Sequence, residues 1–323
     1  MLYINREHVE LIGMDWNQLA AVIRDAVKVM AAGEFAQPIK PYLRYGDPKN
    51  RIIAMPAYIG GNTSMAGIKW IASFPDNIHQ HIPRAHSVTI LNEHRTGKPI
   101  CILNTTMVSA IRTAAVSALL IQAYVTTKPA TKKYRIGIVG FGPIGQTHLQ
   151  MIAVLLQDQL ESIYIYDLKG VDINTIDGPV AGKVMVASSW QECYDDADIF
   201  ITCTVSDKPY INRAPKKGSL QLNVSLRDYM VETLAYMDMI IVDDWEEVCR
   251  QNTDIENMHL RAGLQKEDTF SISDVVCNNV LDKLTGDQVA MFNPMGMAIF
   301  DIAIGGHYYH AAMLQNEGIS LPA

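Results

Sequence analysis

The sequence predicts an α/β chain: a doubly wound parallel-sheet domain in its second half and a separate α+β domain in its first. Three observations carry this. From residue 135 onward, β-rich runs alternate with helical periodicity, the pattern of parallel strands joined by crossover helices. Between 36 and 105, short apolar runs are cut by Gly and Pro, which reads as a mainly antiparallel sheet. The run Thr126 to Lys133 (Thr-Thr-Lys-Pro-Ala-Thr-Lys-Lys) reads as a linker between the two. A length of 323 residues suits about two domains.

The elements follow in order. Residues 2–5 read as a short strand. Asp15 opens a helix, with Gln18 placed for a capping box. Leu19, Val22, Ile23, Ala26, Val27 and Met30 follow at helical spacing, and Gly33 stops the helix. Arg51–Met55, Ala66–Ile71 and Ser87–Leu91 read as strands, and 107–125 as an Ala- and Leu-rich helix. Strands are then expected at 135–139, 162–167, 198–203, 219–224 and 239–243, with a helix at 143–157. Asn293-Pro294 reads as the cap and first residue of a last helix running to about 313.

Composition narrows the function classes. The net charge of −7 argues against a general nucleic-acid binder, which needs a cationic face. Residues 1–115 carry a net +4 and the remainder −11, a split that suits a small anion bound by the first part. The five cysteines include no C-x-x-C pair and read as free thiols in a reducing compartment. The N-terminus lacks the basic start and apolar run of a signal peptide. No uninterrupted apolar run approaches 18 residues, so a cytoplasmic location is expected and a membrane partner is not. The pairs His79/His81 and His307/His310 have no local acidic or Cys companions, and no metal is expected.

The most informative segment is Arg135-Ile136-Gly137-Ile138-Val139-Gly140-Phe141-Gly142-Pro143-Ile144-Gly145. It is a G-x-G-x-x-G after a strand and before a helix, the context that a dinucleotide loop requires. Gly140 permits the tight turn, Gly142 lets backbone approach a pyrophosphate, and Gly145 lets helix and strand pack closely. Pro143 and Ile144 open the helix whose N-terminus faces the phosphates. Asp167 ends the next strand, where a carboxylate accepts from ribose hydroxyls and repels a 2′-phosphate. The cofactor expected of this Rossmann-type domain is therefore NAD, although Lys169 nearby pulls toward NADP. Thr202, Cys203 and Thr204 end another strand at the same edge and are placed near the cofactor. Cys203 has no His close in sequence and reads as a small hydrophobe rather than a nucleophile.

Lys40, Arg44, Lys69, Arg84 and Arg112 each stand among apolar neighbours in the first part. Cations in such settings need partners. These are either internal carboxylates folded in from elsewhere or the carboxylates of a substrate; the set as a whole favours a substrate. Asp228 follows the strand at 219–224 and is placed either as an acid/base or as a helix cap. Asp243-Asp244 reads as a solvated turn.

Taken together, Gly67-Ile68-Lys69, Arg112-Thr113-Ala114-Ala115, the glycine loop, Asp228 and Met297-Ala298-Ile299-Phe300-Asp301 resemble the ornithine cyclodeaminase/μ-crystallin family. Gln37-Pro38-Ile39-Lys40-Pro41-Tyr42-Leu43-Arg44, Thr202-Cys203-Thr204-Val205, Val242-Asp243-Asp244-Trp245 and Asn293-Pro294-Met295-Gly296 are similar to one branch of it. That branch oxidises a secondary amine joining diaminopropionate to glutamate. The resemblance implies an N-terminal substrate and dimerisation domain (1–125, rejoined by a helix at about 294–323) and an NAD domain (126–293). It implies that Arg44, Lys69 and Arg112 hold substrate carboxylates, that Asp228 acts as acid/base or positions the water, and that the chain works as a homodimer; Arg84, from the cation set, is a further substrate-binding candidate, and Lys69 is a catalytic candidate beside Asp228. The family's lyase branch, its imine and amino-acid reductases and its non-catalytic crystallin branch are the alternatives. Two departures stand out: a short, Gly-interrupted stretch after Asp167, and Phe300 where relatives often carry Glu or Gln.

Overall fold

The computed structural model describes residues 1–322. They form two compact units, residues 1–115 with 296–322, and residues 116–295.

The first unit is built on a mixed sheet. Strand β1 (Leu2–Ile4) is followed by helices α1 (Arg6–Ile12) and α2 (Trp16–Ala31). Then come β2 (Phe35–Ala36), β3 (Tyr42–Leu43), β4 (Arg51–Ile59), β5 (Met65–Ser73), β6 (Ala85–Glu93) and β7 (Pro99–Asn104). Pairing is antiparallel from β2 through β7; β1 joins β7 in parallel, and Ile319–Ser320 extends the edge beyond β1. Helix α1 was not foreseen. Its cap is Asn5, whose side chain accepts from the His8 N–H while the His8 ring accepts from the Asn5 N–H. This is a capping box in residues that rarely signal one. Asp15 caps α2 through the Asn17 and Gln18 N–H groups, and Leu19, Ile23, Ala26 and Val27 form its buried stripe.

The helix Ala298–Gln315 covers β4, β5 and β6 and packs on α2. Gly67 permits this close approach, since a Cβ there would lie 2.8 Å from Ile302 Cδ1 and 2.4 Å from the Ile90 carbonyl oxygen. The helix begins at Ala298, not at Pro294. Asn293 instead ends a strand of the second unit, where its amide is held in a strand-end network.

The second unit is an eight-stranded, wholly parallel sheet. After helix α3 (Met107–Thr126), whose second part belongs here, come β8 (Tyr134–Val139), α4 (Pro143–Leu155), β9 (Leu160–Tyr166), β10 (Val184–Val186), α5 (Trp190–Tyr194), β11 (Ile199–Thr202), β12 (Leu220–Asn223), β13 (Met239–Val242), α6 (Trp245–Val248), α7 (Asp254–Ala262), β14 (Thr269–Ser271), α8 (Ile272–Cys277) and β15 (Ala290–Asn293). The strand order is β10-β9-β8-β11-β12-β15-β13-β14. From β8 the chain runs outward to β9 on one side and returns to β11 on the other. The carboxyl ends of β8 and β11 therefore form the switch point at which such sheets bind ligands. Strands β10, β14 and β15 are short and escaped the sequence reading. The connection from β9 to β10 contains only 3₁₀ turns, Ile173–Thr175 and Ala181–Lys183, as its glycines and proline foretell.

Helix α3 is apolar and long enough to cross a membrane, but it lies largely inside the protein as a core helix. The expected break at 126 is not where the units divide. The division falls within α3, because one apolar helix continues without interruption from Met107 to Thr126.

Candidate active site

The glycine loop leaves β8 and enters α4. Gly140 has φ +89°, and a Cβ there would stand 2.6 Å from the Cys203 carbonyl, so the loop rests on the Cys203–Thr204 backbone. A Cβ on Gly145 would stand 2.1 Å from the Gly140 carbonyl oxygen. Gly142 faces open space and caps α4 with no side-chain acceptor, and Pro143 follows at the first turn. The first N–H groups of a 13-residue helix are thus offered to an anion. Asp167, just past β9, accepts from Phe141 N at 2.7 Å on one oxygen and from Lys169 N at 2.8 Å on the other. An ionised carboxylate has about four acceptor positions, so capacity remains for ribose hydroxyls. The loop and Asp167 fit a dinucleotide. These contacts separate two roles. Gly142→Ala should leave the thermal midpoint unchanged and weaken NAD binding by about tenfold or more, whereas Gly145→Ala should also destabilise the unit; titration calorimetry and thermal melts check both.

Asp228 stands beyond β12 and is fully buried. It caps no helix. Its Oδ1 accepts from the Thr204 hydroxyl at 2.5 Å, and its Oδ2 meets the Ser225 hydroxyl. The turn carrying it is held by a second buried carboxylate, Asp254 at the start of α7. Asp254 Oδ2 accepts from Asp228 N (3.0 Å), Tyr229 N (3.1 Å) and Asn223 Nδ2 (3.0 Å), while Asp254 N donates to the Leu226 carbonyl. Leu226 has φ +64°, a conformation costing about 1–3 kcal/mol for such a residue. The Asp254 and Asn223 bonds hold it there. Burial pushes both carboxyls up to about 6; in Asp228 the Thr204 hydrogen bond opposes this and the charge of Asp254 adds to it. A buried carboxyl that titrates near neutrality is suited to moving a proton.

Thr202, expected beside the cofactor, is fully buried, its hydroxyl lying between Ser225 Oγ (2.8 Å) and Asn223 Oδ1 (3.3 Å). The fold supplies Cys203 with a His absent from its sequence neighbourhood: His148 Nδ1 lies 3.9 Å from its sulfur. His148 is buried between the Ile144 carbonyl (2.8 Å) and the Ser117 hydroxyl (2.9 Å), and burial lowers it to about 4. Burial and Asp228 push the Cys203 thiol far above its ordinary range, so the pair makes no thiolate nucleophile. Asp243-Asp244 is not a solvated turn. Asp243 is buried and accepts from Met295 N and Asp244 N, and Asp244 caps α6.

In the first unit, Lys69 lies on the β5 face shared with Met65 and Gly67, as period-two geometry requires. Lys69 Nζ and Arg112 Nε each stand 2.9 Å from Asp301, one on either oxygen, and all three are buried. The internal carboxylate that the sequence left open is therefore real for these two cations. A lone Asp in the apolar run Ala298–Ile304 was its only sequence signal. Burial sets Asp301 against its charged form, but Arg112 and Lys69 outweigh this and hold it below the usual range. Burial lowers Lys69 to about 8, Asp301 opposing and Arg112 adding. Lys40 is also buried and donates to the Gly296 carbonyl at 2.9 Å. A Cβ on Gly296 would lie 2.6 Å from Arg112 Nη1, so this glycine makes room for the guanidinium. Arg44 is exposed, bonded to the Pro48 carbonyl and set over the Tyr42 ring; Arg84 is half-buried just before β6. Neither joins the two ion pairs on Asp301.

The sequence profile of the ornithine cyclodeaminase/mu-crystallin family matches residues 4–314. The chain belongs to that family. It is 34% identical to N-((2S)-2-amino-2-carboxyethyl)-L-glutamate dehydrogenase of Staphylococcus aureus, covering 99% of this chain and 98% of the relative. It is 25% identical to alanine dehydrogenase of Archaeoglobus fulgidus over 98% and 97%. Among solved structures, the Δ(1)-pyrroline-2-carboxylate reductase of Thermococcus litoralis, in complex with NADH and L-proline, superposes with a TM-score of 0.87. That pair shares 19% identity over 99% of this chain and 100% of that one. This member of the family is an NAD-dependent dehydrogenase, and NAD is its cofactor.

Among the described residues, no group of three or more His, Cys, Asp or Glu is placed to hold a metal ion. Phe300, the family departure, is fully buried. The residues that sequence reasoning missed are Asp301, Asp254, Asn223 and Ser225. Each acts through a contact 20 or more residues away; Ser225, which meets Thr202 in this way, also lies three positions from Asp228.

Proposed function

We propose that this enzyme oxidatively cleaves N-((2S)-2-amino-2-carboxyethyl)-L-glutamate to 2-oxoglutarate and L-2,3-diaminopropionate, a precursor of siderophores or peptide antibiotics, as a cytoplasmic homodimer. The observation that carries the reading is Arg112. Its Nε is committed to Asp301, while Nη1 and Nη2 have no acceptor among the described residues. A buried guanidinium with one edge anchored and the other unspent is matched to the two oxygens of a carboxylate. The proposed substrate has three carboxylates, where ornithine and alanine have one. Lys69 beside Arg112 suits the same group, and Arg44 and Arg84 are the candidates for the others. The 34% identity to an enzyme of this name supports the choice.

NAD, when bound, supplies the acceptor for the hydride that leaves the glutamate α-carbon. The substrate nitrogen forms the C=N bond, and water adds to that carbon. Asp228 in its carboxylate form takes a proton from the water and returns one to the nitrogen as the C–N bond breaks. The books close on one water consumed, one NADH formed and one proton released.

Purified enzyme with NAD and this substrate should yield NADH, 2-oxoglutarate and diaminopropionate in equal amounts, followed by absorbance and mass spectrometry. Proline and ammonia from ornithine without NADH would make it a lyase, and NADH from alanine alone would place it with the alanine dehydrogenases. Arg112→Ala should raise KM and lower kcat/KM at least tenfold, about 1.4 kcal/mol. Arg44→Ala should act in the same direction; unchanged steady-state kinetics in both would remove the carboxylate clamp.

A further inference from the structure

The hydrogen-bond partners around Asp228 fix which of its oxygens carries a proton, a point that rests on the acid/base reading of that residue. Thr204 Oγ1 receives Ser206 N–H at 3.3 Å, and among the described residues its own hydrogen has no acceptor other than Asp228 Oδ1, to which it therefore donates. Oδ1 is thus an acceptor in every state, and a proton on Asp228 belongs on Oδ2. Oδ2 meets Ser225 Oγ, Ser225 Oγ lies 2.8 Å from Thr202 Oγ1, and Thr202 Oγ1 lies 3.3 Å from Asn223 Oδ1. The Asn223 amide cannot turn over, because its Oδ1 accepts from Leu226 N and its Nδ2 donates to Asp254 and Asn293. Each hydroxyl owns one hydrogen. When Thr202 donates to Asn223, Ser225 donates to Thr202, and the contact with Oδ2 is a bond only if Asp228 carries the proton. When Asp228 is ionised, both hydroxyls reverse: Thr202 donates to Ser225, and Ser225 donates to the carboxylate.

We infer that Ser225 and Thr202 form a reversible two-hydroxyl chain that satisfies Asp228 in both its protonated and its ionised form, making them positioning residues for its proton. A buried carboxyl in a site lacking such a chain satisfies only one state and leaves an unpaired group in the other. The charged and titratable groups facing Asp228 are Asp254 from α7, Arg227 on its own turn, Tyr210, Tyr229, and Cys203 after β11. None of them touches Oδ2.

The two hydroxyls have opposite predicted effects. Ser225→Ala removes a charge-assisted donor from the ionised form and only a neutral acceptor from the protonated form, so the Asp228 midpoint should rise. Thr202→Val removes the hold that the Thr202 hydroxyl itself has on the Asp228 carboxyl, an effect that ranks below burial, Thr204 and Asp254; it also leaves the Ser225 hydrogen without an acceptor when Asp228 is protonated, and because that second loss strands a buried donor, the midpoint should fall. Each change should be about half to one pH unit, the worth of one such bond. The full-length enzyme labelled with [¹³Cγ]Asp reads this by NMR titration, with Asp228→Asn assigning the resonance. Opposite displacements, with Thr202→Ser restoring the wild-type midpoint, support the chain. Displacements of one sign, or none, overturn it. If Ser225→Ala fails to fold, the Val/Ser pair at 202 decides alone: a fall in Val that Ser reverses supports the chain, and equal midpoints overturn it. The titration does not depend on turnover, so wild-type kcat in Asp228→Asn would overturn the acid/base reading while leaving this test intact.

Discussion

Asp228→Asn should lower kcat by about a hundred- to ten-thousand-fold, the usual worth of a positioned acid/base, and should make the protein more stable at pH 7. The amide reproduces the protonated acid: its oxygen accepts from Thr204, and its NH₂ donates to Ser225, so the local structure is kept. The stability gain follows from linkage. Asp228 titrates near 6 when folded and near 3.9 when unfolded. A carboxyl raised in this way contributes stability below the unfolded value and loses it as pH rises through 6. At pH 7 the wild type carries the cost of a buried charge, about 2–3 kcal/mol from that difference. The variant avoids it. Urea midpoints at pH 5 and pH 7 should therefore diverge between the two proteins, with NAD affinity equal. An inactive but stabilised variant marks a residue kept for function at the expense of stability; a variant that is both active and no more stable would contradict both parts.

Asp301→Asn should cost the first unit about 3–5 kcal/mol, because it strands two buried cations. Lys69 can escape by losing its proton, since it already titrates near 8. Arg112 loses the ion pair that its Nε makes with Asp301. The loss should appear in hydrogen-exchange mass spectrometry as faster exchange in β4, β5 and the helix Ala298–Gln315, with β8 to β12 unaffected. The acid sign is also set. Asp301 is held below the ordinary carboxyl range, so its contribution is present above about pH 4 and fades as pH falls through the depressed value. The wild type should lose its advantage over the variant in that acid window. A difference under about 1 kcal/mol at pH 7 would show that the cluster is solvated and adaptable.

Both residues illustrate what a sequence exposes. Asp228 was visible because it follows a strand end in a parallel sheet, where ligands gather. Lys69 and Arg112 were visible because charges are costly among apolar neighbours, so each demanded a partner. The partner itself was not visible. Asp301 lies 189 positions from Arg112, and no local pattern connects them. Asp254 lies 26 positions from Asp228 and, read locally, is only the first residue of a helix. The strands β10 and β14 were missed for a related reason: three residues carry no periodicity, and only pairing with a neighbour defines them. Strand β15 was missed because Asn293-Pro294, at its end, reads locally as a helix start.

The sequence by itself determined what depends on spacing along one chain. Strand, glycine turn and helix in Arg135–Gly145 specify the strand–turn–helix unit, since the backbone of Gly140 itself requires Gly145 five residues on. Alternation of strands and helices specified the parallel sheet, because parallel neighbours need crossovers. Only the tertiary structure decided what depends on burial and on contacts between distant segments. It gave Arg112 one edge to Asp301 and left the other unspent, withdrew Thr202 into a hydroxyl chain, and placed two carboxyls together out of water. Protonation and charge pairing are set by the dielectric and the partners around a group, and a linear sequence specifies neither until the chain has folded.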